Sequence, residues 1–173
     1  CASDEEVESL KFTEKNLINK IYTDSAEAKI SGVLDYLGTV IEAGCKFLIF
    51  AHHQSMIDSI HEFLLKKKVG CIRIDGKTAA ASRQALVTDF QEKDAIKAAV
   101  LSIRAGGVGL TLTAASTVIF AELSWTPGDL IQAEDRAHRI GQIYIKPLIY
   151  IVINSVKGII WCCVMENKLE NTF

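Results

Sequence analysis

The chain has 173 residues, with 19 basic against 21 acidic side chains and a formal net charge of −2. That balance excludes a domain whose whole surface is a nucleic-acid footprint, while leaving room for a local basic patch. At 49% hydrophobic the chain can bury one full-sized core, but its apolar runs are short, such as LIYIVI from Leu148 to Ile153, and far below the roughly 20 residues of a membrane span.

The N-terminus is acidic (Asp4, Glu5, Glu6) and lacks the basic-then-apolar order of a signal peptide. Residues 1–26 are mostly polar and read as an arm or a partial helix. From residue 27 the pattern changes. Ile30, Val33, Leu34, Leu37, Val40 and Ile41 repeat at helical spacing on one face, and Gly44 ends the run. FLIFA (Phe47 to Ala51) then reads as a buried strand. Ile57, Ile60 and Leu64 mark a helix, CIRI (Cys71 to Ile74) a strand, and Ala80 to Glu92 a helix with Ala85, Leu86 and Phe90 inward. AAVLSI (Ala98 to Ile103) and VIFAE (Val118 to Glu122) are strands flanking a glycine-rich loop. After Pro127 comes the helix that carries QAEDR, then the strand LIYIVI, then a helix expected from about Val156 to Leu169 with Ser155 as its N-cap. The five cysteines, Cys1, Cys45, Cys71, Cys162 and Cys163, form no C-x-x-C pair and read as free thiols rather than zinc ligands.

Alternation of near-continuous apolar strands with amphipathic helices predicts an α/β fold, a mainly parallel sheet with helices on both faces. In such sheets ligands gather at the carboxyl ends of the strands. His52 and His53, Asp75-Gly76, the glycine loop and Trp125 all follow strands, so one shared functional edge is expected.

Two phosphate-binding resemblances are imperfect. GCIRIDGKT (Gly70 to Thr78) ends like a P-loop, but five residues separate the first glycine from Gly76-Lys77-Thr78 where four are required, and they are strand-like. Asp75 would also aim a carboxylate at the phosphates. Gly106, Gly107 and Gly109 with Glu122 echo a dinucleotide-binding unit, yet G-G-V-G is not G-x-G-x-x-G. A tight strand-to-helix turn explains those glycines equally well.

QAEDRAHRIGQ (Gln132 to Gln142) raises a sharper question. On a helix, Gln132, Arg136 and Arg139 share a face. Paired guanidinium forks beside an amide suit a phosphate chain. A solvated helix with its arginines paired to Glu134 and Asp135 is the alternative.

Together, KFLIFAHH, IRIDGKT, LSIRAGGVGLTLTAASTVIFAELSWTPG and QAEDRAHRIGQ resemble, in order and spacing, the second RecA-like lobe of SNF2-family DNA translocases. The resemblance spans residues 27–155, and FAHH, FAEL and QAEDR are most similar to the annealing-helicase branch, the HARP-type fork-remodelling proteins. It implies a RecA-like three-layer fold and a role as one half of an ATPase whose other half is the N-terminal helicase lobe of the same protein. Arg136 and Arg139 would be arginine fingers, with Gln132 on the same face. Gly107 and Gly109 would lie near the nucleotide; Ser102, Arg104 and Trp125 would face DNA. ATP and Mg²⁺ are the implied cofactors, shared with the other lobe, with no metal held by this chain. The implied partner is double-stranded or branched DNA, in the nucleus and away from any membrane. Without a P-loop the chain alone should not hydrolyse ATP.

Several positions depart from the family pattern. Chromatin remodellers typically carry Asp where this chain has Glu122, and W-N-P where it has Trp125-Thr126-Pro127. Many relatives have Thr at Ile103, and a threonine with two acidic residues in place of Asn154 to Gly158. Three other functions stay open on the residues. They are a nucleosome-remodelling lobe, a small-molecule enzyme using the glycine loop, and a non-catalytic module that binds nucleic acid or a partner.

Overall fold

The computed structural model describes residues 4–104, 112–122, 148–154 and 160–165, with side chains over 7–104 and 112–122. Its elements run α1 (Asp4–Glu42), β1 (Phe47–Ala51), α2 (Gln54–Lys66), β2 (Gly70–Ile74), α3 (Ala80–Glu92), β3 (Ile96–Ser102), β4 (Thr117–Phe120), β5 (Leu148–Asn154) and β6 (Ile160–Met165). The strands form one sheet in the order β2-β3-β1-β4-β5-β6. All neighbours pair in parallel except β5 and β6, which are antiparallel.

The pleat explains why β1 can be apolar at every position. Successive side chains point to opposite faces, and both faces are covered. Phe47, Ile49 and Ala51 join Val33 and Leu37 of α1 and Met56, Ile57, Ile60 and Leu64 of α2 in one buried layer. Leu48 and Phe50 join Val87 and Phe90 of α3, with Ile72, Ile74, Leu101 and Phe120, in the other. Phe50 and Phe120 stack across that second layer with ring centroids 5.3 Å apart. The three-layer α/β arrangement expected from the sequence is thus present.

Two local expectations are corrected and one alternative is decided. α1 runs unbroken from Asp4, through the stretch read as an arm or a partial helix, so the helical alternative holds. Nothing from Asp4 to Glu42 is proline, and Thr13 and Thr23 return their hydroxyls to carbonyls four residues back, so no helix breaker intervenes. The inner face of α3 is Val87 and Phe90 with Leu86 partly buried, while Ala85 is exposed. The C-terminal segment expected as a helix from Val156 to Leu169 instead contains β6, whose residues Ile160–Met165 pair with β5. The run IWCCVM is rich in β-branched and aromatic residues, and β5 offers it an edge to pair with.

Backbone constraints mark two connections. Gly44 adopts φ +72° and closes α1, as its position predicts. A Cβ at Gly70 would fall against the backbone carbonyl of Ala95. Gly70 sits at the register shift between β2 and β3, so the close approach there requires glycine.

Candidate functional site at the carboxyl edge of the sheet

β1 is flanked by β3 and β4, and its register sets three strand ends side by side. Ala51 pairs with Ser102, and Phe50 with Phe120. Two further backbone bonds extend the pairing past the strands: the Ile103 N–H donates to the Ala51 carbonyl at 3.0 Å, and the Ala121 N–H donates to the Phe50 carbonyl at 2.9 Å. His52-His53, Ser102 to Arg104 and Ala121-Glu122 therefore meet at one edge, as expected for strands that share a functional end.

The central group of this edge is Glu122, 4% exposed. Its Oε2 accepts the backbone N–H groups of both His52 and His53, each at 2.8 Å. Its Oε1 lies 2.6 Å from Nδ1 of His53. A carboxylate from the end of β4 thus clamps the turn that starts α2, which has no side-chain cap of its own. Tyr22 of α1 covers the pair, with ring centroids 4.6 Å from His53 and 5.7 Å from His52. Burial raises the Tyr22 hydroxyl pKa above its ordinary value; the charge of Glu122 adds to this, and that of Arg104 opposes it. Arg104 follows the β3 end that pairs with Ala51, and it is exposed, whereas Ser102 is buried.

A second buried carboxylate lies at the end of β2. Asp75 accepts Arg73 Nε at 2.9 Å and Arg73 Nη2 at 2.8 Å, and the Lys77 N–H at 2.9 Å. Thr78 closes the turn by accepting the Asp75 N–H through its hydroxyl at 3.0 Å. Arg73 also holds Asp58 of α2 at 2.7 Å. Burial alone would raise the Asp75 carboxyl, but the Lys77 N–H, Arg73 and Gln54 outweigh it and hold it below the usual carboxylate range. This is the strand-ending turn expected from Asp75-Gly76. It also explains why Gly-Lys-Thr here is no phosphate cradle. The preceding residues are a strand paired to β3, and the Lys77 N–H is already given to Asp75.

Gln54 joins the two groups. It follows His53 directly and donates to Asp58 at 3.1 Å and to Asp75 at 3.5 Å. A polar chain thereby crosses the edge from β4 through β1 to β2. A third contact fixes the segment after the glycine loop. Gln91 of α3 donates to the Thr113 hydroxyl at 3.0 Å and accepts the Ala114 N–H at 2.7 Å.

Of the residues expected to act, Ser102 and Arg104 stand at this edge. Gly107, Gly109, Trp125, Gln132, Arg136 and Arg139 lie outside the described residues. Sequence reasoning missed Tyr22, because it sits in a polar stretch read as an arm or a partial helix, and Gln91, for which no motif gave a signal. Among the described residues no group of three or more His, Cys, Asp or Glu is arranged to hold a metal, and no helix is long and apolar enough to cross a membrane.

Comparisons with known proteins identify the family. A model of the helicase conserved C-terminal domain matches residues 28–141. The SWI/SNF-related matrix-associated actin-dependent regulator of chromatin subfamily A-like protein 1 of Xenopus laevis is 48% identical over 158 residues, which is 90% of this chain and 16% of that protein. The DNA annealing helicase and endonuclease ZRANB3 of Homo sapiens is 41% identical over 161 residues, 92% of this chain and 15% of that protein. The chain thus spans about a sixth of the length of these relatives. Among solved structures, the C-terminal part of the Fun30 ATPase domain superposes with a TM-score of 0.64 and 34% identity, over 72% of this chain and 40% of that one. The chain belongs to the helicase conserved C-terminal domain family, as the second, RecA-like lobe of an SNF2-type helicase.

Proposed function

We propose that this lobe is the nucleotide-closing and DNA-tracking half of an ATP-driven translocase that acts on double-stranded or forked DNA and reanneals it. The observation that carries the reading is similarity along nine-tenths of the chain to a relative named a DNA annealing helicase. The residue pattern FAHH, FAEL and QAEDR agrees with that branch.

ATP with Mg²⁺ would supply phosphoryl transfer as the source of work when bound. The Gly70 to Thr78 stretch does not fit the triphosphate, since its turn amide is committed to Asp75. The cradle therefore belongs to the N-terminal helicase lobe of the complete protein. This chain contributes Arg136 and Arg139, whose guanidinium groups neutralise charge on the transferring phosphoryl; a finger of this kind is worth roughly 10³ to 10⁵ in rate. Gln132 acts beside them in binding the phosphate chain. Gly107 and Gly109 admit backbone close to the nucleotide. Ser102 and Arg104 hold DNA phosphates without reading sequence, and Trp125 contributes a further DNA contact. Closure over ATP and release after hydrolysis alternate the grip of the two lobes, which moves the motor along the duplex. The setting for this work is the nucleus.

The test is ATP-dependent annealing of a forked, partly melted duplex by the complete protein, set beside nucleosome sliding. Annealing without sliding is expected. Sliding without annealing would replace this reading by that of a nucleosome remodeller.

A further inference from the structure

Resting on the reading above, we infer that Glu122 is a positioning residue for DNA engagement, setting the DNA-facing edge by holding the His52-His53 turn rather than by touching DNA. Three observations converge on it. A carboxylate is expensive to bury unless its charge is met by donors, yet Glu122 is almost wholly buried at the end of an apolar strand. Three groups of a turn about 70 residues away in sequence meet it: two backbone N–H groups and one imidazole nitrogen. That turn leads directly into Gln54, which reaches Asp75 on the far side of the edge.

The consequence is geometric. The ends of β1 and β4 are joined beyond the point where ladder hydrogen bonds stop, through the bonds that Glu122 accepts from residues 52 and 53. Arg104, exposed beside this cluster, is presented from the neighbouring strand end. Tyr22 of α1 covers the His53 ring of the clamped turn, so the long helix also packs on this edge. Removing Glu122 leaves two N–H groups without their acceptor and frees the turn to move relative to Arg104. A residue that mattered only for stability would have no reason to act selectively on this edge.

The test is binding of a fluorescent DNA duplex by this chain at low ionic strength, where phosphate contacts are strongest, with the thermal midpoint recorded for each variant. Glu122→Ala is expected to weaken binding about tenfold, the equivalent of leaving a buried donor unsatisfied. Glu122→Gln keeps an oxygen for both N–H groups and should recover affinity to within about threefold, a charge-assisted bond being roughly twice as strong as a neutral one. Lys46→Ala is the control. Lys46 donates to the Phe90 and Lys93 carbonyls near the start of β1, at the opposite end of the sheet, so it should lower stability and leave affinity unchanged. If Glu122→Ala does not fold, His53→Phe carries the test: the ring stays against Tyr22, Nδ1 is lost, and binding should weaken about threefold. Equal losses for Glu122→Ala and Lys46→Ala, or His53→Phe binding as tightly as the unsubstituted chain, would overturn the inference and leave the helicase reading standing. Failure of the unsubstituted chain to bind any duplex would instead strike the helicase reading itself.

Discussion

Glu122 and Asp75 are both buried carboxylates at the carboxyl ends of parallel strands, and they are satisfied in opposite ways. Asp75 draws its partners from its own turn and strand: Arg73, Lys77 and Thr78 lie within three residues, and Gln54 reaches it from α2. Glu122 draws two backbone N–H groups and an imidazole nitrogen from a turn about 70 residues distant. A local network forms with its strand and stabilises one corner. A long-range one exists only when two strand ends have docked, so its energy depends on the register of the sheet. The difference assigns Asp75 to stability and Glu122 to the geometry of the functional edge.

The largest effect expected from this contrast is on folding. Asp75→Ala strands Arg73 and the Lys77 N–H together and should cost about 3 kcal/mol in urea denaturation, with DNA affinity of the folded fraction little changed. A loss of affinity larger than that of Glu122→Ala would break the assignment. The next effect is pH dependence. Because the Asp75 pKa is depressed in the folded chain, its contribution is present above the ordinary carboxylate pKa and is lost as pH falls through the depressed value. Asp75→Asn should therefore flatten the acid limb of the stability curve. Tyr22 carries the opposite sign. Its pKa is raised, so its contribution is complete below the ordinary phenol pKa and is lost as pH rises through the raised one; Tyr22→Phe should remove that alkaline loss.

A smaller effect is expected at Gln91, whose amide holds Thr113 and Ala114. Gln91→Ala should cost about 1 to 2 kcal/mol and raise hydrogen exchange in the segment after the glycine loop, leaving the Glu122 clamp intact. Smallest is Lys68, a non-glycine residue with φ 57° after α2. Lys68→Gly should be neutral or stabilising by up to about 1 kcal/mol, because glycine takes that conformation without the Cβ penalty.

The same distinction between local and distant partners governs what the sequence reveals. β1 is legible as FLIFA and the Gly44 stop as a helix end, because apolar runs, helical spacing and glycine act over a few residues. The Asp75 turn is legible for the same reason. The Glu122 clamp is not: Glu122 stands out as a family difference, and His52-His53 as a pair after a strand, but nothing in spacing joins them. β6 is misread because IWCCVM can be helical or extended, and only the available edge of β5 decides. α1 is under-read because its first half exposes Leu10, Phe12, Leu17 and Ile21, so it lacks the core-facing stripe by which a helix is identified.

The proposed role of this lobe is to supply Arg136 and Arg139 to a nucleotide site shared with the N-terminal helicase lobe. Its most direct measurement is ATP hydrolysis with forked DNA, by this chain alone and by the complete protein with and without Arg139→Ala. The expected result is no turnover by the chain, and a loss of roughly 10³-fold or more in the variant. Clear turnover by the chain alone, or an Arg139→Ala protein as active as the unsubstituted one, would contradict it.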